Sequence, residues 1–264
     1  EIAESFSVDV ADGQLHVRAA GTGPLVVLLH GWTLDWRIWL PQLTLSNVRL
    51  LMPDRRGFGT STAPPMLSAE RDDIDRIANF FGEKHFALIG LSQGAAVALD
   101  YARGGSDRLT AMSLIGAPLH AVVPEPSDAP EIDRAAYAEL VRDGRFDDMM
   151  ALWRRHPLTR VTPRAQDLVD DILAAYEGRD QHVDQVPLHF SPQDIATLGI
   201  PVLALSGAKD SIWRRQVADY IGTHAPNGQC KIIPHAGHLA NVDAVDSVNG
   251  LLQNFLNKHH LKEL

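Results

Sequence analysis

Apolar and polar positions follow two rhythms along this chain. Phe6 to Val10 and Leu15 to Ala19 flank Asp12-Gly13, a turn dipeptide, and predict a β-hairpin. Leu25-Val26-Val27-Leu28-Leu29 is an unbroken apolar run, which suits a strand buried on both faces of a sheet. Asp35 is placed to cap a short helix carrying Trp36, Ile38 and Trp39. Val48 to Met52 predicts a further strand, ending at Pro53-Asp54. In 68–82, Ile74, Ile77, Phe80 and Phe81 fall at helical spacing. Phe86 to Ile89 predicts a short buried strand, Ala95 to Ala102 a helix of small and apolar residues, and Met112 to Ile115 another strand. The same alternation returns near the end, with a strand at Val202 to Leu205, a helix over 213–224 and a strand at Lys231 to Ile233. A terminal helix carries Val245, Val248, Leu251, Leu252, Phe255 and Leu256 on one face. Strand and helix in alternation predict an α/β fold, with parallel strands and helices on both faces of the sheet.

Residues 119–200 break this rhythm. They open with Pro124, Pro126 and Pro130 and then show helical patterns without a long strand-like run, first through Tyr137, Leu140, Phe146, Met149, Met150, Leu152 and Trp153, then through Leu168, Ile172, Leu173 and Tyr176. This predicts a helical insertion after one strand of the sheet. The core is then 1–118 together with 201–264.

Composition narrows the classes. At 264 residues and 45% apolar, the chain can bury one large core. A single cysteine, Cys230, rules out an internal disulfide and a Cys-rich zinc site, and it reads as a small buried hydrophobe beside a strand. No apolar run approaches the ~20 residues that cross a bilayer, and no apolar signal segment follows Glu1, so a soluble cytoplasmic protein without membrane partners is expected. The net charge of −9 argues against nucleic acid as the main partner. That charge is unevenly spread, because residues 121–200 hold 15 Asp and Glu against 8 Arg. An acidic insertion of this kind shades the expected substrate toward neutral or cationic molecules.

Gly90-Leu91-Ser92-Gln93-Gly94 stands between a predicted strand and a predicted helix. A serine on so tight a turn is presented outward on strained backbone. Small residues two positions away on either side allow the chains to approach closely. A serine nucleophile needs a base, and the base needs an orienting acid. Asp210 follows the strand at 202–205, and His238 closes Pro234-His235-Ala236-Gly237-His238 after the strand at 231–233. In a parallel sheet all three loops open on one edge. The loop after 112–115 holds Gly116-Ala117-Pro118 and no carboxylate, which favours Asp210. Gly237 favours His238 over His235, which reads as a surface loop residue. Read as metal ligands, the two histidines lack a third partner, so no metal or cofactor is expected. His30-Gly31-Trp32 follows the buried run, and the backbone N–H groups of Trp32 and Gln93 are the expected oxyanion donors. His30 is expected to shape the loop.

Together, His30-Gly31-Trp32, Asp54-Arg55-Arg56-Gly57-Phe58-Gly59-Thr60-Ser61, Gly90-Leu91-Ser92-Gln93-Gly94, Gly207 with Asp210, and Gly237-His238 resemble the α/β-hydrolase superfamily in content and order. The resemblance implies an α/β-hydrolase fold in which 119–200 is the helical cap and 54–61 is a structural turn. It also implies a serine hydrolase for a small ester or lactone, of carboxylesterase or lactonase type. A C–C bond hydrolase of the same fold is an alternative, for which Arg154, Arg155, Arg160 and Arg164 are candidate anion contacts. A ligand receptor that keeps the triad is another. Trp32, Phe146 and Trp153 are the expected pocket walls. Neither the acyl and alcohol groups nor the oligomeric state can be read from these patterns.

Overall fold

The computed structural model describes residues 3–105, 107–126 and 130–261. Eight strands form one sheet in the order β1-β2-β4-β3-β5-β6-β7-β8. They are β1 (Glu4–Val10), β2 (Gly13–Gly21), β3 (Leu25–Leu29), β4 (Arg49–Pro53), β5 (Phe86–Leu91), β6 (Leu109–Ile115), β7 (Val202–Gly207) and β8 (Gly228–Ile233). All pairs from β4 through β3 to β8 are parallel, whereas β2 runs antiparallel to β1 and β4. Strands β3, β5 and β6 sit in the middle and are buried along their whole length. Only helices on both faces could hide such strands.

The helices are α1 (Glu70–Phe80), α2 (Gln93–Arg103), α3 (Arg134–Arg142), α4 (Phe146–Trp153), α5 (Pro163–Ala174), α6 (Pro192–Ala196), α7 (Ile212–His224), α8 (Ala240–Asp243) and α9 (Val245–His259). Residues of α1, α2 and α7 pack with Leu25, Val27 and Leu29 on one face of the sheet. Residues of α9 join Val26, Leu28, Leu50 and Met52 on the other, in a cluster that continues into α3, α4 and α5. These three helices cover the carboxyl ends of the strands. Phe190, Ile195 and Leu198, at the end of the insertion, pack back into the core.

Three local expectations are corrected. The hairpin turn is Ala11-Asp12, because Gly13 already pairs with Val10. A Cβ at Gly13 would lie 2.7 Å from the Ala63 backbone, so the glycine serves a close approach. The segment behind Asp35 is a 3-10 helix, Trp36–Thr44, with Pro41 inside it, although Asp35 caps it as expected by accepting the Arg37 N–H. Phe80 is 51% exposed, off the buried face set by Ile74 and Ile77, and it meets Phe6 and Phe81 edge-on. No described helix is long and apolar enough to cross a membrane.

Candidate active site

Ser92 occupies the one-residue turn between β5 and α2 with φ 53° and ψ −118°. Such a conformation costs a non-glycine residue roughly 1–3 kcal/mol and persists only when the surroundings enforce it. They do so here. The Ser92 N–H donates to the Ile115 carbonyl at 2.8 Å, and the Ser92 carbonyl accepts from Ala95 and Ala96. A Cβ at Gly90 would lie 2.5 Å from the Gly94 oxygen, and one at Gly94 would lie 2.1 Å from the Leu29 oxygen. Both flanking glycines are therefore required by backbone contact.

Asp210 and His238 arrive from the loops after β7 and β8. His238 Nδ1 lies 2.9 Å from Asp210 Oδ2, and both side chains are buried. The Ser211 N–H donates to Asp210 Oδ1 at 2.8 Å, and the Ser206 hydroxyl donates to Oδ2 at 3.3 Å. Burial pushes the Asp210 carboxyl up, but His238, by charge and hydrogen bond, and the nearby Arg214 outweigh it and hold it below the usual range. The Asp210 carboxylate is thus fixed as an acceptor, and His238 Nδ1 carries the proton between them. Asp243 braces the histidine loop by accepting the Gly237 N–H at 2.8 Å and the Thr162 N–H at 2.7 Å.

Ser92 and His238 line one pocket, together with Gly31, Trp32, Thr33, Leu34 and Leu239 from the core and Ile132, Trp153, Leu158, Thr159, Val169 and Leu173 from the insertion. About 360 Å³ lies between its atoms, part of it open to solvent. Among the described residues, no hydrogen bond yet joins Ser92 Oγ to His238. The backbone N–H groups of Trp32 and Gln93 have no protein acceptor among the described residues.

Two hydrogen bonds tie the Trp32 loop to the insertion. The Trp32 indole N–H donates to Asp180 Oδ2 at 2.7 Å, and the Trp153 indole N–H donates to the Thr33 hydroxyl at 2.7 Å. Thr33 itself has φ 63°. Asp180 also accepts the Tyr176 hydroxyl at 2.6 Å, and burial, followed by the Asp180 charge, pushes the Tyr176 phenol well above its usual value.

The alpha/beta hydrolase family matches residues 26–250. The chain belongs to this family. Its relatives include a carboxylesterase of Bacillus subtilis, YbfK, 23% identical over 96% of this chain and 88% of that protein. Among solved structures, an esterase from Exiguobacterium antarcticum superposes with a TM-score of 0.82 at 18% identity, covering 96% of this chain and all of that one. A thermophilic esterase from Thermogutta terrifontis, solved with malate bound, gives 0.77 at 27% identity, covering 97% and 98%.

In this alpha/beta hydrolase the expected residues fall into place unevenly. Ser92, His238, Trp32 and Trp153 share the pocket, and Asp210 stands behind His238. Phe146, expected in the wall, is not among the lining residues. It packs on Tyr176 with ring centroids 6.0 Å apart, where a Cβ on Gly178 would meet its ring. Arg154, Arg155, Arg160 and Arg164 are exposed and are not among the residues that line the Ser92 pocket. His235 is exposed on its loop. His30 donates from Nδ1 to the Gly31 carbonyl and accepts the Arg55 N–H at Nε2, while burial, reinforced by Arg55, pulls its pKa down to about 3. It stays neutral and holds the loop. The 54–61 turn is built on Asp54, which accepts the N–H groups of Trp36 and Thr60.

Two features escaped the sequence reading. Gly116 has φ 58°, and a Cβ there would lie 2.7 Å from His238 Cε1, so this glycine makes room for the imidazole. Arg214 donates to the Gly116 carbonyl at 2.8 Å and pairs with Glu131, which also accepts the Ser211 hydroxyl. A buried Arg–Glu pair thus braces both the floor beneath His238 and the residue after Asp210. Its members are 83 positions apart in sequence, beyond the reach of any local pattern.

Proposed function

We propose that this alpha/beta hydrolase is a serine esterase or lactonase that cleaves a small ester through an acyl-enzyme on Ser92. The observation that carries the reading is the convergence of four loops, those after β3, β5, β7 and β8. The strained serine, the Asp210–His238 pair and two unengaged backbone donors meet at one apolar pocket. The esterase names of the relatives point the same way.

In the proposed reaction, His238 Nε2 takes the Ser92 hydroxyl proton as Oγ attacks the ester carbonyl. Asp210 accepts the Nδ1–H throughout, holds the tautomer and offsets the imidazolium charge. The N–H groups of Trp32 and Gln93 stabilise the tetrahedral oxyanion. The imidazolium then protonates the leaving alcohol, and a water deprotonated by the same histidine releases the acid and restores Ser92. Apolar walls accept a neutral apolar group of the substrate at the reacting end.

The test is labelling with a fluorophosphonate probe followed by peptide mapping, beside a panel of aryl esters and lactones. Modification of Ser92 and loss of turnover in Ser92→Ala and His238→Ala are expected. Full activity in either variant overturns the reading.

A further inference from the structure

Arg134 opens α3 and points its guanidinium over the Trp32 indole, with Cζ 4.4 Å from the ring centroid. Trp32 is a wall of the Ser92 pocket, and Ile132, two residues before Arg134, is another. The two other arginines whose charges reach Arg134 are Arg55 and Arg214. Arg55 is anchored beside β3, on the His30 carbonyl and the Gln93 side chain, and Arg214 beside β6, on the Gly116 carbonyl.

Arg55 and Arg214 are each committed to a carboxylate, the buried Glu70 and the half-buried Glu131. Arg134 is not. Among the described residues its guanidinium forms no ion pair and no hydrogen bond. Asp180, the acidic side chain whose charge reaches it, is already engaged by Trp32, Tyr176 and Gln181. The Arg134 side chain is exposed, so a ligand can reach it from solvent. A guanidinium that contacts an aromatic ring through Cζ still has N–H donors to offer a bidentate acceptor.

We propose that Arg134 is a carboxylate-recognition residue at the pocket mouth, so that the preferred substrate is an ester with an apolar reacting end and a carboxylate on its outer part. This rests on the serine hydrolase reading for turnover but not for binding. It also relocates the anion contact from Arg154, Arg155, Arg160 and Arg164 to an arginine that stands over Trp32, a pocket wall. The acidic balance of the insertion acts at long range and is screened within about 8 Å in physiological salt, so it does not decide a contact made at hydrogen-bond distance.

The experiment compares matched esters on the full chain. One pair is 4-acetoxybenzoate and its neutral methyl ester, with the charge on the leaving group. The other is mono-4-nitrophenyl succinate and 4-nitrophenyl butyrate, with the charge on the acyl group. In Arg134→Gln, kcat/KM for at least one anionic ester is expected to fall about 10- to 100-fold, through KM, with the neutral partner changed less than about 3-fold. Arg134→Lys should restore part of the loss, and the affected pair shows which half of the ester carries the carboxylate. An equal loss on charged and neutral esters, or no loss on either anion, overturns the proposal and leaves Arg134 as a support for Trp32. Should the wild-type chain hydrolyse none of these esters, the hydrolase reading fails separately. Titration with benzoate and succinate, read by tryptophan fluorescence, then judges the site. Saturable quenching lost in Arg134→Gln supports it, and its absence in the wild type overturns it.

Discussion

Ser92 and Gly116 show how single positions carry this site. Ser92 is held at positive φ by hydrogen bonds and by two glycines without room for a Cβ, so its presentation is a property of the backbone around it. At Gly116, an added methyl would meet the His238 ring at 2.7 Å on left-handed backbone. Gly116→Ala is therefore expected to displace the imidazole and lower kcat on a neutral aryl ester by about 100-fold, with a smaller change in KM. Steady-state kinetics alongside a melting curve separate this from unfolding. His30 supplies a pH prediction. The unfolded chain takes up this proton near the ordinary 6.5, whereas the folded chain resists it down to about 3. Between those values the unfolded state binds more protons, so the stability from the neutral His30 contacts is complete above pH 6.5 and declines as pH falls toward 3. His30→Gln, which cannot take up a proton, should flatten the fall in melting temperature across that window.

Between elements, the decisive contacts join the insertion to the loop after β3. The Trp32–Asp180 and Trp153–Thr33 hydrogen bonds hold the segment whose backbone N–H is the proposed oxyanion donor. Asp180→Ala leaves a buried indole N–H without its charged acceptor, a loss of about 1.5–3 kcal/mol for the contact. Turnover should drop about 10-fold or more through kcat, because the donor is used at the transition state. Asp180→Asn keeps an acceptor oxygen and should recover part of it. An unchanged kcat in Asp180→Ala would show that the loop stands without the insertion. The element pattern itself was legible where periodicity is strong. β3, β5, β6, β7 and α9 fall where their apolar runs predict, since a buried central strand or a one-faced helix leaves a direct trace in sequence. The contact of Phe80 with Phe6 and the close approach of Gly13 to Ala63 were not legible, because each partner is distant in the chain.

Across the whole molecule, the pocket is a joint product of core and insertion. Leu34 and Leu239 come from the core, and Leu158, Val169 and Leu173 from the insertion. Filling it with Leu173→Trp should shorten the acyl chain accepted, with kcat/KM for an octanoate ester falling at least about 10-fold more than for the acetate. A chain-length series on 4-nitrophenyl esters reads this directly. The sequence alone determined the family and the alternation of strands and helices, and it singled out Ser92, Asp210 and His238 as the candidate set, because each depends on a local pattern such as a glycine-flanked turn, an apolar run or a loop just past a strand. Only the tertiary structure decided that Gly116 clears the imidazole, that Phe146 stands off the pocket and that Asp180 grips Trp32. The tertiary structure also decided that, of all the insertion's arginines, Arg134 stands over the pocket wall. Those are distances between residues far apart in the chain, set by how two layers pack, and no spacing along the sequence encodes them.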